Sequence, residues 1–224
     1  MLLQVENLSK SFTHGTQTFL AVDHVNFELR RGEMAVLSGP SGCGKSTFFN
    51  LLTGVLPADQ GRIIFDGQDV TKNNRQAWTK LRSNQLAYIL QADSLLHNLT
   101  VQENIKLPQR LCGYPPISND YVSQLLYSFG LAGLEAEYPR SLSGGERRRV
   151  AIIRALVQSP LVLIADEPTG DLDPDNARLI LEFLRRKSTE GLTVLISSHQ
   201  LEAIPSGVAH YDMQAGRMSL KSKR

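Results

Sequence analysis

The chain has 224 residues, 42% of them hydrophobic and 21% charged, with a formal net charge of +2. That is the balance of a folded globular domain with ample material for a core, and it gives no electrostatic case for a nucleic-acid partner. Two cysteines, Cys43 and Cys112, make no disulfide framework and suit a reducing compartment.

In chain order, residues 2–8 and 19–29 read as strands, joined across a turn at 13–16. The second strand sets Val22, His24 and Asn26 against Val25, Phe27 and Leu29 in an imperfect alternation. An apolar strand over 34–38 leads into a glycine-rich loop, and a helix follows over 46–54. Residues 56–61 form a breaker cluster, 62–65 a short strand turned by Asp66-Gly67, and 86–90 a strand ending at Gln91. From 100 to 158 the pattern is helical, broken at 113–116 and 138–139; Ser118 is placed to cap a helix carrying Val122, Leu125, Leu126 and Phe129. The continuous apolar runs 161–165 and 193–197 suit buried parallel strands, with a helix over 175–187 between them. No element is assigned beyond residue 197, and there is no internal repeat. The expected design is one domain: an α/β nucleotide-binding core (1–91 and 161–224) with a helical insertion (92–160).

The loop Gly39-Pro40-Ser41-Gly42-Cys43-Gly44-Lys45-Ser46-Thr47 fits G-x-x-x-x-G-K-[ST]. Gly39, Gly42 and Gly44 let the backbone turn its N–H groups toward one point. Lys45 adds a point charge for the β- and γ-phosphates, and the Ser46 hydroxyl is a Mg²⁺ ligand of the right kind. The start of the next helix points its partial positive charge at the same oxygens. The strand before and the helix after supply the context that separates a nucleoside-triphosphate site from a glycine-rich turn with a chance Lys-Ser.

Two further segments narrow the chemistry. The strand 161–165 ends in Asp166-Glu167, at the sheet edge where ligands bind in open α/β folds. Asp166 is suited to hold Mg²⁺ and Glu167 to polarise an attacking water; a surface acidic pair is the plainer reading. Leu142-Ser143-Gly144-Gly145-Glu146 opens a strongly helical segment. Ser143 with Glu146 matches a capping box, and small residues at a helix start also make an anion site. A second phosphate-binding element in a chain with one phosphate loop suggests service to another subunit's nucleotide.

With these residues in place, the chain resembles the ATPase subunit of an ABC transporter over almost its whole length. The resemblance implies a P-loop NTPase (RecA-like) α/β core with an antiparallel β subdomain and a helical signature subdomain. It implies a homodimer that sandwiches two ATP molecules, each between one chain's phosphate loop and the other's Leu142 to Glu146. Gln91 resembles the family's glutamine loop, which senses Mg²⁺ and the γ-phosphate and links to the membrane partner. His199 resembles the switch histidine that contacts the γ-phosphate. Gly170, Asp171, Leu172 and Asp173 resemble the loop that reaches across the dimer, although the acids also suit N-caps for the next helix. Phe12 resembles the aromatic residue that stacks on adenine, and Val22 falls where the base is contacted. By the same resemblance, Lys45, Gln91, Glu167 and His199 are the catalytic set, and Ser46, Gln91 and Asp166 the Mg²⁺ set.

No run of 18 apolar residues is present and Met1 to Glu6 is too soon charged for a signal peptide. Membrane work would therefore pass through a separately encoded permease, with this chain peripheral on the cytoplasmic face of the inner (plasma) membrane. The Thr169-Gly170-x-Leu172-Asp173 form resembles the group serving lipoprotein release, macrolide export, cell division and peptide-antibiotic resistance. Asp171 stands where many members have Asn, Gln200 follows His199 where Asp is common, and Arg147-Arg148-Arg149 replaces a frequent Arg-Gln-Arg. An ATPase that regulates a cell-wall complex without transport is the alternative. A nucleic-acid clamp is disfavoured because the chain has neither long coiled coils nor zinc modules.

Overall fold

The first 29 residues form a long hairpin, β1 (Leu3–His14) and β2 (Gln17–Leu29), turned at Gly15 in the left-handed region. A bulge explains the imperfect alternation in β2. His24 has φ 48°, and the register slips between Leu8↔Val25 and Lys10↔Val22, so Val22 and Val25 both face inward. The computed structural model describes residues 1–224 apart from Asp93, Tyr114, Asp171 and Arg224, and only the backbone of Lys223.

The hairpin joins β4 (Gln60–Phe65) and β5 (Gln68–Asp69) in an antiparallel sheet of order β2-β1-β4-β5. The second sheet contains β3 (Met34–Ser38), β6 (Leu86–Ile89), β7 (Val162–Ala165), β8 (Thr193–Ser197), β9 (Ala209–Gln214) and β10 (Arg217–Lys223), ordered β10-β9-β3-β8-β7-β6. All neighbours in it are parallel except β9 and β10.

Both faces of the parallel strands are covered, which is why they read as unbroken apolar runs. Ala35, Leu37, Val162, Ile164 and Leu195 pack toward the first sheet, around Phe48 and Phe49 of α1 (Lys45–Leu52). Met34, Val36, Leu163, Ala165, Val194 and Ile196 pack on the opposite side. That side is covered by α3 (Val101–Cys112), α4 (Asn119–Ser128), α5 (Gly144–Leu156) and α6 (Pro174–Thr189). Phe129 and Phe183 meet there with ring centroids 4.5 Å apart.

Three elements depart from the expected plan. A helix, α2 (Arg75–Asn84), precedes β6; its only buried side chain is Trp78, so it carries no apolar stripe to read. The strands β9 and β10 lie beyond the last expected element. In β9, Ala209, Tyr211 and Met213 are buried, while His210 and Asp212 on the other face hydrogen-bond Ser38 Oγ at 2.8 and 3.0 Å. The polar residues that hide the strand are thus partners of the residue before the phosphate loop.

Candidate active site at the carboxyl edge of the parallel sheet

Four loops leave the carboxyl ends of β3, β7, β8 and β6, and they carry the phosphate loop, Asp166-Glu167, His199 and Gln91 respectively. The phosphate loop is held in a shape only glycine permits at two points. Gly39 has φ 146° and Gly44 has φ 113°; an added Cβ would lie 2.2 Å from Met213 O and 2.0 Å from Ala21 O. Lys45 is buried and its Nζ donates to the carbonyls of Gly39 and Pro40 at 2.8 and 3.1 Å. Cys43 is also buried, with Sγ 3.9 Å from Lys45 Nζ. Pro40, Ser41, Gly42 and Ser46 are exposed and Thr47 half-buried, so a ligand meets the loop backbone and the Ser46 hydroxyl.

Asp166 is buried at the end of β7, and the Ser197 hydroxyl of β8 donates to its Oδ1 at 2.6 Å. The same hydroxyl oxygen accepts the Glu167 N–H at 2.7 Å. Glu167 has φ 49°, a left-handed backbone that a non-glycine residue keeps only when its surroundings fix it. Its carboxylate gathers the other two residues: Gln91 Nε2 donates to Oε2 at 3.1 Å, and His199 Nε2 lies 2.7 Å from Oε1. Ser197 ends the apolar run 193–197, and nothing in the sequence distinguishes it from its neighbour Ser198.

Arg148 stands in the middle of the arginine run 147–149 on α5. Its guanidinium donates to the carbonyls of Leu90 (2.7 Å), Gln91 (3.1 Å), Asp166 (2.6 Å), Glu167 (2.7 Å) and Pro168 (3.3 Å).

The start of α5 is a full capping box. The Ser143 hydroxyl accepts from Glu146 N at 3.3 Å, and the Ser143 N–H donates to Glu146 Oε2 at 2.7 Å. The Ser143 N–H and the Ser143 hydroxyl, which also donates to Glu146 Oε2 at 2.8 Å, hold the Glu146 carboxyl below its ordinary value of 4.5. Ser143 and Gly144 are exposed, whereas Gly145 is closed in by Leu172, whose Cδ2 would lie 2.8 Å from an added Cβ. Asp173 caps α6 through Asn176 N at 3.0 Å, with Pro174 at the first helical position. Gly170 is exposed, and Asp171 lies outside the described residues.

Three of the expected site residues have buried side chains. Val22 is fully buried because the β2 bulge turns it into the core, so its side chain does not reach the site. Leu142 is buried in the core around α5, and its carbonyl accepts from Arg147 at 2.7 Å; it anchors the helix start. Leu172 is buried against the same chain's Gly145 and does not face outward. Phe12 is half-buried in β1, 6.1 Å from the Phe19 ring, with Lys10 Nζ 5.8 Å above it.

The sequence profile of the ABC transporter family matches residues 22–170. The ABC transporter ATP-binding protein YtrE of Bacillus subtilis is 34% identical over 221 residues, covering 96% of each chain. This chain belongs to the ABC transporter family. A Mycobacterium tuberculosis protein, the uncharacterized ABC transporter ATP-binding protein Rv0986, is 37% identical over 97% of this chain and 88% of its own. Among solved structures, the dimeric post-hydrolysis state of the ATP-binding cassette MJ0796, bound to ADP and Pi, superposes with a TM-score of 0.91. It is 27% identical and covered over 99% of both chains. A further dimeric structure of MJ0796, a bacterial ABC transporter cassette, gives a TM-score of 0.92 at 28% identity. The present chain is the ATP-binding cassette of an ABC transporter, an ABC ATPase. Among the described residues, no helix is long and apolar enough to cross a membrane.

Proposed function

We propose that two copies of this chain close around two ATP molecules, hydrolyse them, and transmit the closure to a separately encoded membrane permease. The observation that carries the reading is the meeting of Gln91 and His199 on the Glu167 carboxylate, beside the phosphate loop. Gly39 to Thr47 cradle the phosphates, Lys45 turns from its own loop carbonyls to the β- and γ-oxygens, and Phe12 stacks on adenine. Glu167 is the general base toward the attacking water. His199 steadies that carboxylate and contacts the γ-phosphate, and Gln91 reports the state of the site to the permease.

The donor set suits Mg²⁺. The buried Asp166 carboxylate, the Ser46 hydroxyl and the Gln91 amide are hard oxygen ligands of the number such an ion takes beside phosphates. When bound, the ion would neutralise charge on the β- and γ-phosphates.

The dimer is supported by the placement of the two phosphate elements. The helix after the phosphate loop packs on one face of the parallel sheet, and the helix that begins at Gly144 packs on the other. Ser143, Gly144 and Glu146 are therefore assigned to the partner's nucleotide, with Gly170, Asp171 and Asp173 in the loop at the interface. Leu90, the residue before Gln91, lines a cavity of about 320 Å³ together with Arg82, Tyr88, Ser94, Pro108 and Arg154, and this cavity is assigned to the permease. The helical segment 92–160 would then move as a unit against the core. The Thr169 to Asp173 form favours an exporter or mechanotransmission type (lipoprotein, macrolide or antimicrobial peptide), working at the cytoplasmic face.

The test is phosphate release alongside nucleotide binding. E167Q should lose at least about a hundredfold in turnover, the scale of a lost general base, while binding ATP like the parent. K45A should lose binding. An E167Q protein that hydrolyses ATP at the parent rate would remove Glu167 from its role.

A further inference from the structure

We propose that Arg148 is a positioning residue that straps the signature helix to the backbones of both catalytic loops, aiming Glu167. This rests on the reading of Glu167 as general base. The guanidinium is a planar fork of five N–H donors that stays charged at any working pH. Its nitrogens reach carbonyls on two separate loops: Leu90 and Gln91 after β6, and Asp166, Glu167 and Pro168 after β7. Both residues that exchange the 3.1 Å side-chain hydrogen bond, Gln91 and Glu167, are thereby held at their own peptide groups by one side chain.

The strained residue makes the role specific. Glu167 sits at φ 49°. Its N–H is pinned by Ser197 of β8, and its carbonyl by Arg148 of α5 at 2.7 Å and by the Gly170 N–H at 3.2 Å. A backbone held in a sparsely populated region keeps its side-chain direction only while such restraints persist. Arg148 lies two residues beyond Glu146, in the helix whose exposed start is assigned to the partner's nucleotide. A shift of that helix is felt at the Gln91 and Glu167 peptides without passing through their side chains. A glutamine at 148 has one amide with two N–H donors, and a lysine has a compact ammonium; neither spans the two loops as a fork does.

The experiment compares R148A, R148Q and R148K with the parent for kcat, KM and ATP affinity, with and without added methylguanidinium. R148A and R148Q should lose at least about tenfold in kcat with KM and binding within about twofold, the pattern of an interaction felt only in the chemical step. Methylguanidinium should restore turnover to R148A saturably, and methylammonium should not. R148K should remain well below the parent. If R148A is too unstable to purify, R148Q and R148K are judged by the same kinetic split. A kcat within twofold of the parent overturns the proposal, as does a loss that appears in ATP affinity or one that methylguanidinium fails to restore. E167Q, run in parallel, tests the general-base reading separately, since it must lose turnover whatever Arg148 does.

Discussion

At Ser197 one hydroxyl serves two neighbours, donating to the Asp166 carboxylate and accepting the Glu167 N–H. Removing it leaves a buried carboxylate oxygen and a partly buried amide short of a partner, which costs up to about 1–3 kcal/mol for a buried group left unsatisfied. S197A should therefore melt lower and lose turnover, while S197T, which keeps the hydroxyl, should recover much of both; thermal melting and phosphate release read the two effects. At this scale the sequence was partly legible. Gln91 and His199 stood out only through the family resemblance, whereas Asp166 and Glu167 could be picked out because they end an apolar strand in a chain with a phosphate loop. Ser197 and Arg148 could not, because a serine inside an apolar strand and an arginine inside an arginine run carry no spacing signal. Val22 faces inward because a bulge in β2 shifts which side chains turn to the core.

At the scale of the element, the start of α5 caps its helix and, in the proposed function, also meets the partner's nucleotide. S143A should lose the cap, worth about 1 kcal/mol of stability. S143D should keep the cap but set a carboxylate against the partner's phosphates, abolishing ATP-driven dimerisation without the loss of melting temperature. Glu146 adds a pH dependence of known sign. Its folded pKa is depressed by the Ser143 bonds, so its contribution is complete above the ordinary value of 4.5 and is lost as pH falls through the lower folded value. The difference in melting temperature between the parent and E146A should hold near neutrality and shrink toward zero as the medium is acidified. The caps at Ser118 and Asp173 and the strands around the phosphate loop were legible from turn chemistry and apolar runs. The helix α2 was not, since only Trp78 on it is buried. Nor was β9, whose His210 and Asp212 are polar because they bond Ser38.

At the scale of the molecule, the parallel sheet separates what the reaction has to bring together. Its carboxyl edge carries the phosphate loop, Asp166, Glu167, His199 and Gln91, while the helix starting at Gly144 packs against one face and α1 against the other. In the proposed function a second copy presents its Ser143 and Gly144 to complete each site, with ATP as the linker that favours the closed pair. Its differential affinity for closed over open chains would then drive the change. The most direct test is the solution mass of E167Q, by light scattering on a sizing column, with and without Mg-ATP. The account predicts a monomer without nucleotide and twice that mass with it, and return to monomer when S143D is added to the same chain. A mass that does not change with Mg-ATP, either alone or with the membrane partner present, would contradict it.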